Sequence, residues 1–122
     1  MNRPSAIRSF RDLLVWQKSK ALAKHIFKAT EGMPKSEMFG LTGQMRRAAV
    51  SIPSNIAEGY NRKTRPEYIR GLRIASGSQA ELSTQWEIAV ELGLIASNPK
   101  IDQVLGEIDR MIFALIRRLE SA

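Results

Sequence analysis

The sequence predicts an all-α fold, an antiparallel up-and-down four-helix bundle, and three observations carry that prediction. Apolar residues recur at three- and four-residue spacing in four separate stretches. No stretch alternates apolar and polar residues as a half-buried strand does. Helix-start and helix-stop residues stand at the joins between the stretches. At 122 residues, the chain is one domain by length, residues 1–122.

The first helix covers about 13–30, where Val15, Leu22, Ile26 and Ala29 form a heptad-like stripe and Lys18, Lys20, Lys24 and Lys28 cover the other faces. Gly32 and Pro34 are expected to end it by the usual C-terminal chemistry. In the connection that follows, GMPKSEMFGL, the side chains of Met38, Phe39 and Leu41 are expected to plug one end of the bundle. The second helix covers about 42–60. Its apolar stripe is Met45, Ala48, Ile52, Ile56 and Tyr60, and a polar stripe of Gln44, Arg47, Ser51, Asn55, Glu58 and Arg62 runs beside it. Pro53 inside this helix removes one backbone donor and frees the carbonyl of Ala49, which predicts a bend; the hydroxyls of Ser51 and Ser54 are candidates to satisfy freed carbonyls. A fixed kink that fits the neighbouring helix is favoured over a hinge.

The third helix covers 65–92, opened by TRPE as a capping box with Thr64 as N-cap, Pro66 in the first turn and Glu67 three residues on, and closed by Gly93. The fourth covers 99–120, with Asn98 as N-cap and Pro99 in first position, and a stripe of Ile101, Val104, Ile108, Met111, Leu115 and Leu119. Ile112, Phe113 and Ile116 widen its apolar arc beyond what a lone bundle needs, which points to self-association. Trp16 and Trp86 sit at core spacing and read as packing.

Several functions are excluded. There is no cysteine, so disulfide frameworks and thiol catalysis are out, and a single histidine, His25, leaves no ligand cluster for a metal. The longest apolar run, Met111 to Ile116, is far short of the roughly 20 residues of a membrane span, and the first residues, interrupted by Arg3, Arg8 and Arg11, lack a signal core. The expectation is a cytoplasmic protein with no membrane contact. Ser51 as a nucleophile lacks an adjacent base, and no glycine-rich turn presents its hydroxyl or an oxyanion hole. Glu58 and Glu81 as paired carboxylates lack the Glu-x-x-His motif of bundle di-metal sites. The expectation is no catalytic residue, no metal, no cofactor and no enzyme.

Charge is the more informative property. The net charge is +7, and it is uneven. Residues 1–35 carry eight Lys/Arg against Asp12 and Glu31; residues 36–80 carry seven against Glu37, Glu58 and Glu67; residues 81–122 carry four against seven carboxylates. This distribution suggests an anionic partner, RNA or DNA. Arg46, Arg62, Lys63, Arg65, Arg70 and Arg73 cluster around the join of the second and third helices and are the candidate nucleic-acid-binding residues, with Tyr60 and Tyr68 near enough to stack on bases. A solvated basic end stands beside that reading. For the polar stripe the expectation is a network across to the third helix, in which Arg47, Ser51, Asn55 and Glu58 meet Ser78 and Glu81, with Arg47 paired to Glu58 or Glu81 and the small residues Gly77 and Ala80 allowing the helices to approach.

Three strings, FRDLLVWQKSKALAKHIF, GLTGQMRRAAVSIPSNIAEGYNR and EYIRGLRIASGSQAELSTQWEIAVELGLI, resemble the four-helix-bundle family first noted as intervening-sequence proteins in 23S ribosomal RNA genes, over roughly residues 10–95. The chain is similar also to the accessory protein of diversity-generating retroelements, a basic bundle pentamer that binds nucleic acid and a reverse transcriptase. The resemblance implies an up-and-down bundle assembled into a homo-oligomeric ring, typically a pentamer, and no enzyme. Matched to its motifs, Arg47, Ser51, Pro53, Asn55, Glu58 and Gly59 fall on the helix-two signature, and Gly77, Ser78 and Glu81 on that of helix three. The function expected is a ring-forming bundle that binds nucleic acid, foremost RNA. The alternative is a scaffold or adaptor whose partner is a protein.

Overall fold

The structure is a computed structural model that describes residues 6–122, so Arg3 lies outside the described residues. Four helices carry the chain: α1 (Leu14–Ala29), α2 (Leu41–Asn61), α3 (Arg65–Glu91) and α4 (Pro99–Glu120), with 3-10 turns at Phe10–Asp12 and Lys35–Glu37. No strand occurs among the described residues.

The first turn is a capping box that periodicity does not reveal. Asp12 Oδ2 accepts the main-chain N–H groups of Arg8 (2.9 Å) and Ser9 (3.2 Å), while Ser9 Oγ accepts that of Arg11 at 3.1 Å. Those two donors, Arg8 first, hold the Asp12 carboxyl below the usual carboxylate range. A lowered pKa favours the folded turn above the ordinary Asp range, and that contribution is lost as pH falls through the folded value.

The end of α1 differs from expectation. Gly32 does not take the left-handed backbone, a conformation adopted among the glycines by Gly93. Instead Thr30 closes the helix through its own hydroxyl, which donates to the carbonyl of Ile26 at 2.7 Å. The connection to α2 buries Met33, but Met38 is exposed and Phe39 is 97% exposed, so these two do not plug the bundle end. The Lys35–Glu37 turn, closed by the Met38 N–H on the Lys35 carbonyl, intervenes and carries them outward.

The core is built by Val15, Leu22 and Ile26 of α1, Met45, Ile52 and Ile56 of α2, Leu72, Leu82 and Trp86 of α3, and the aliphatic face of α4. Trp16 packs edge-on against Phe10 at 5.2 Å between centroids, with Lys20 Nζ 4.9 Å over its ring. On α4 the buried stripe is Ile101, Leu105, Ile108, Ile112 and Ile116, whereas Val104, Met111, Leu115 and Leu119 are only half-buried. Both arcs keep helical spacing, so period alone does not separate them; packing against α1 and α3 selects the one centred on Ile108. Ile112 and Ile116 are therefore core, and Phe113 alone of the three is exposed.

The closest helix crossing lies between α2 and α3. A Cβ placed on Gly71 would stand 2.6 Å from the Asn55 carbonyl oxygen and 2.8 Å from Gly59 Cα, so two glycine backbones meet here. Gly77 and Ala80, expected at this seam, are exposed, and a Cβ on Gly77 meets nothing within 4 Å. Further along the seam Ser51 Oγ meets Ser78 Oγ at 2.8 Å and Gln85 Nε2 approaches Gln44 Oε1 at 3.5 Å. Residue numbers thus fall on α3 as they rise on α2. Lys18 pairs with Glu107 at 3.0 Å between α1 and α4, and Gln79 Nε2 donates to the Leu105 carbonyl at 3.1 Å between α3 and α4.

Helix α2 runs through the buried Pro53 without interruption. The Ser51 hydroxyl turns to Ser78 rather than to the carbonyl freed by the proline. The turn into α3 is three residues long. Arg62 caps α2, Lys63 takes a left-handed φ of 70°, and Thr64 accepts the Glu67 N–H at 3.4 Å. The capping box is half made, since the Glu67 carboxylate lies toward Arg70 at 3.8 Å instead of returning to Thr64. At the far end Gly93, with φ 73°, donates to Val90 while Leu94 donates to Ala89, a Schellman stop; Asn98 then caps α4 and Pro99 begins it.

Candidate nucleic-acid interface

The short α2–α3 turn projects Arg62, Lys63, Arg65, Arg70 and Arg73 from one end of the bundle, all exposed. Each has only a light tether. Arg62 lies 3.6 Å from Glu58, Arg70 3.8 Å from Glu67, and Arg73 pairs with Glu120. Arg65 donates to the main-chain oxygen of Ala122 at 2.7 Å, and Lys63 Nζ stands 5.6 Å over the Tyr60 ring. Exposed pairs of this kind contribute about 0–1 kcal/mol, so a phosphate competes with them at little cost. Tyr60 and Tyr68 meet edge to face at 5.3 Å beneath the turn. Burial first, and the neighbouring Tyr60 second, push the Tyr68 hydroxyl up to about 12.

Four further cations belong to this end and were missed by the sequence reading. Arg118 lines a cleft together with Tyr60 and Tyr68, Arg117 stacks on Phe113 beside it, and Arg8 and Arg11 flank Asp12, which lines the same cleft. The Arg117–Arg118 pair lies in the last turn of α4, within a third of the chain whose summed charge is acidic. The signal was present: a helix that returns along the bundle brings its final turn to the α2–α3 corner.

Arg46, in contrast, is not part of the corner. It lies sixteen positions before Arg62 on the same helix, about 24 Å along the axis. Its Nε donates to Thr30 Oγ1 at 2.9 Å and its Nη2 to the Phe27 carbonyl at 3.3 Å, with the guanidinium 4.8 Å over the Phe27 ring. It holds one C-terminal carbonyl of α1 and the Thr30 hydroxyl, where a cation also favours the helix dipole. Arg46→Ala is expected to lower stability by about 2 kcal/mol in urea denaturation while leaving oligonucleotide affinity unchanged.

The sequence model described as 23S rRNA-intervening sequence protein matches residues 11–116. The chain belongs to the 23S rRNA-intervening sequence protein family. A protein of unknown function from the S23 ribosomal protein family of Bacteroides thetaiotaomicron superposes with a TM-score of 0.75 at 24% sequence identity, covering 84% of this chain and 98% of its own, which shows a shared fold. The comparison with curated proteins gives no match.

The span shared with the 23S rRNA-intervening sequence protein family contains the whole polar seam and stops just short of Arg117. Within it, Asn55 Nδ2 donates to the Ser51 carbonyl (2.8 Å) and to Ser51 Oγ (2.9 Å), and Ser51 meets Ser78 across the helices. The structure therefore joins three of the six expected members. Glu58 pairs with Arg62 rather than Arg47, and Arg47 forms an ion pair with neither Glu58 nor Glu81, although Arg47 and Glu81 line one shallow groove with Gln44 and Gln85. Both Arg47 and Glu81 are exposed, where an ion pair contributes little over solvation of the separate charges. Ser51 is occupied by Ser78 and Asn55, while His25 lies on α1 against α4, lining a different depression with Asn98 and Lys100.

Proposed function

We propose that this protein is a non-enzymatic helical bundle that binds single-stranded RNA without sequence preference through its basic end. One observation carries the reading. At the end formed by the first turn, the α2–α3 corner and the last turn of α4, nine Lys and Arg side chains (Arg8, Arg11, Arg62, Lys63, Arg65, Arg70, Arg73, Arg117 and Arg118) gather against Asp12, Glu58, Glu67 and Glu120. None of them is locked in a buried ion pair. Contacts from such a surface reach phosphates and carry no base information. The register of the paired residues supports an antiparallel up-and-down path, which is what brings these three segments together. Among the described residues no helix is long and apolar enough to cross a membrane.

Fluorescence anisotropy with a labelled oligoribonucleotide tests this. Log affinity is expected to fall with log salt by about 0.7 per phosphate neutralised. Affinity that barely changes between low and moderate salt overturns the reading.

The same proposal includes assembly into a ring of identical subunits, a pentamer by family resemblance. Its support is the exposure of large apolar side chains outside the basic cleft, Phe113, Ile74 and Leu92 among them, on a chain of this size. Light scattering at micromolar concentration is expected to give a multiple of the 13.7 kDa subunit mass, and a monomer refutes the ring. A second reading, an adaptor for a protein partner, is favoured by the near-complete exposure of Phe39. A complex that survives nuclease and high salt distinguishes it.

A further inference from the structure

Between the first turn, the α2–α3 corner and the last third of α4 lies a cleft of about 630 Å3, lined by Leu14, Tyr60, Tyr68, Met111, Leu115 and Arg118 among others. Its walls are largely apolar, yet its rim leaves Leu14 57% and Ile7 47% exposed. A second, shallower depression of about 300 Å3 shares Tyr60 and Tyr68 with it and adds Lys63 and Arg65. The tyrosine pair is thus a partition, with cations on both sides.

The hydroxyl of Tyr68 is buried and has no hydrogen-bond partner among the described residues. With its pKa raised by burial it keeps its proton at neutral pH and can donate as well as accept. An unmade hydrogen bond on a buried polar atom is a cost, and a ligand edge removes it once the side chains around the cleft part to expose the hydroxyl. Asp12 also lines the cleft, but its Oδ2 already accepts two main-chain N–H groups.

We propose that this cleft seats one unpaired base of a single-stranded nucleic acid whose phosphates lie along Lys63, Arg65 and Arg118. The inference rests on the basic-end reading above and names what that end distinguishes. The occupant follows from charge and shape. Apolar walls suit the two faces of a flat heterocycle, the Tyr68 hydroxyl suits a ring nitrogen or carbonyl on its edge, and the flanking guanidinium and ammonium groups suit the anionic linkages on either side. A neutral lipid chain or an apolar helix would leave those cations without counterpart. A duplex hides its base faces by stacking, so it reaches the phosphate contacts alone.

The test uses the whole chain and a ten-nucleotide oligoribonucleotide with a central 2-aminopurine, as a single strand and as a blunt duplex. Ala114, exposed on α4 and lining the cleft, is changed to Trp to fill it without altering charge. Binding of the wild type is expected to change the 2-aminopurine fluorescence. Ala114→Trp is expected to weaken single-strand affinity at least about 5-fold, the loss of one stacked base, with the salt slope and duplex affinity unchanged. Tyr68→Phe, which keeps the ring, is expected to weaken it about 3-fold. Should Ala114→Trp lower the melting temperature, Leu14→Asn at the rim serves instead, with the same expected direction. Salt-sensitive binding that ignores all three variants and treats duplex and single strand alike overturns the base seat and leaves the basic end standing. Absence of salt-sensitive binding to either form overturns both. A change in particle mass on Ala114→Trp without oligonucleotide assigns the cleft to a second copy of the chain, and also overturns the proposal.

Discussion

Gly71→Ala is expected to destabilise the fold by about 3 kcal/mol, at the upper end of what overpacking costs. The added methyl group has nowhere to go. It falls against the Asn55 carbonyl oxygen and Gly59 Cα, and both are backbone atoms of α2, which no rotamer change moves aside. Relief requires the two helices to separate, which loosens the Ser51–Ser78 contact one face along. Against this, alanine favours a helix interior over glycine by about 1 kcal/mol, so the steric term dominates. The control is in the same helix. Gly77 has open space where its Cβ would be, so Gly77→Ala is expected to stabilise by about 0.5–1 kcal/mol, the helix-propensity gain alone. Urea denaturation of the two variants gives shifts of opposite sign if the crossing is where the structure places it. Equal shifts would mean that the helices do not touch at Gly71.

The second large effect is on binding. The double variant Arg65→Glu, Arg118→Glu is expected to weaken single-stranded RNA binding by about 100-fold at about 50 mM salt. Each phosphate contact on a single strand gives about 0.7 log unit of affinity per tenfold change in salt, hence about one log unit between 1 M and 50 mM. Two lost contacts give two log units, and the slope of log affinity against log salt falls by about 1.4. Both side chains are exposed and neither belongs to the core, so the melting temperature should stay within a few degrees of the wild type. Anisotropy across a salt series measures affinity and slope together. Unchanged affinity would show that the cations of this end are only solvated.

Much of the helix layout was legible because it is written in local chemistry. Asn98, Pro99, Thr64 and Gly93 act within a turn of their own positions, and the helix ends they mark fall where expected to within a residue. The buried stripe of α2 was legible because its apolar positions form one narrow arc flanked by polar residues. What was misread depends on distant parts of the chain. Which glycine of α3 meets α2 is a question of register between helices, and nothing near Gly71 or Gly77 distinguishes them locally. The two apolar arcs of α4 satisfy the same period, so their choice belongs to the neighbours. Phe39 was assigned to the bundle end on hydrophobicity, but its loop turns away after Met33. Of the candidate site, the corner residues were legible as a charge cluster. Arg117 and Arg118 joined them only through the path of α4, and Arg46 left them because sequence proximity to a cluster says nothing about a helical separation of about 24 Å.

The turn between α2 and α3 carries a local conflict at Lys63. A left-handed backbone costs an L-residue such as lysine about 1–2 kcal/mol and costs glycine nothing, so at φ 70° glycine is the residue that folding alone would choose. An ammonium group stands there instead, over the face of Tyr60 at the apex of the shortest link between helices. The cation at the apex therefore stands where the backbone least favours a side chain, and its place over the Tyr60 ring offsets part of that cost.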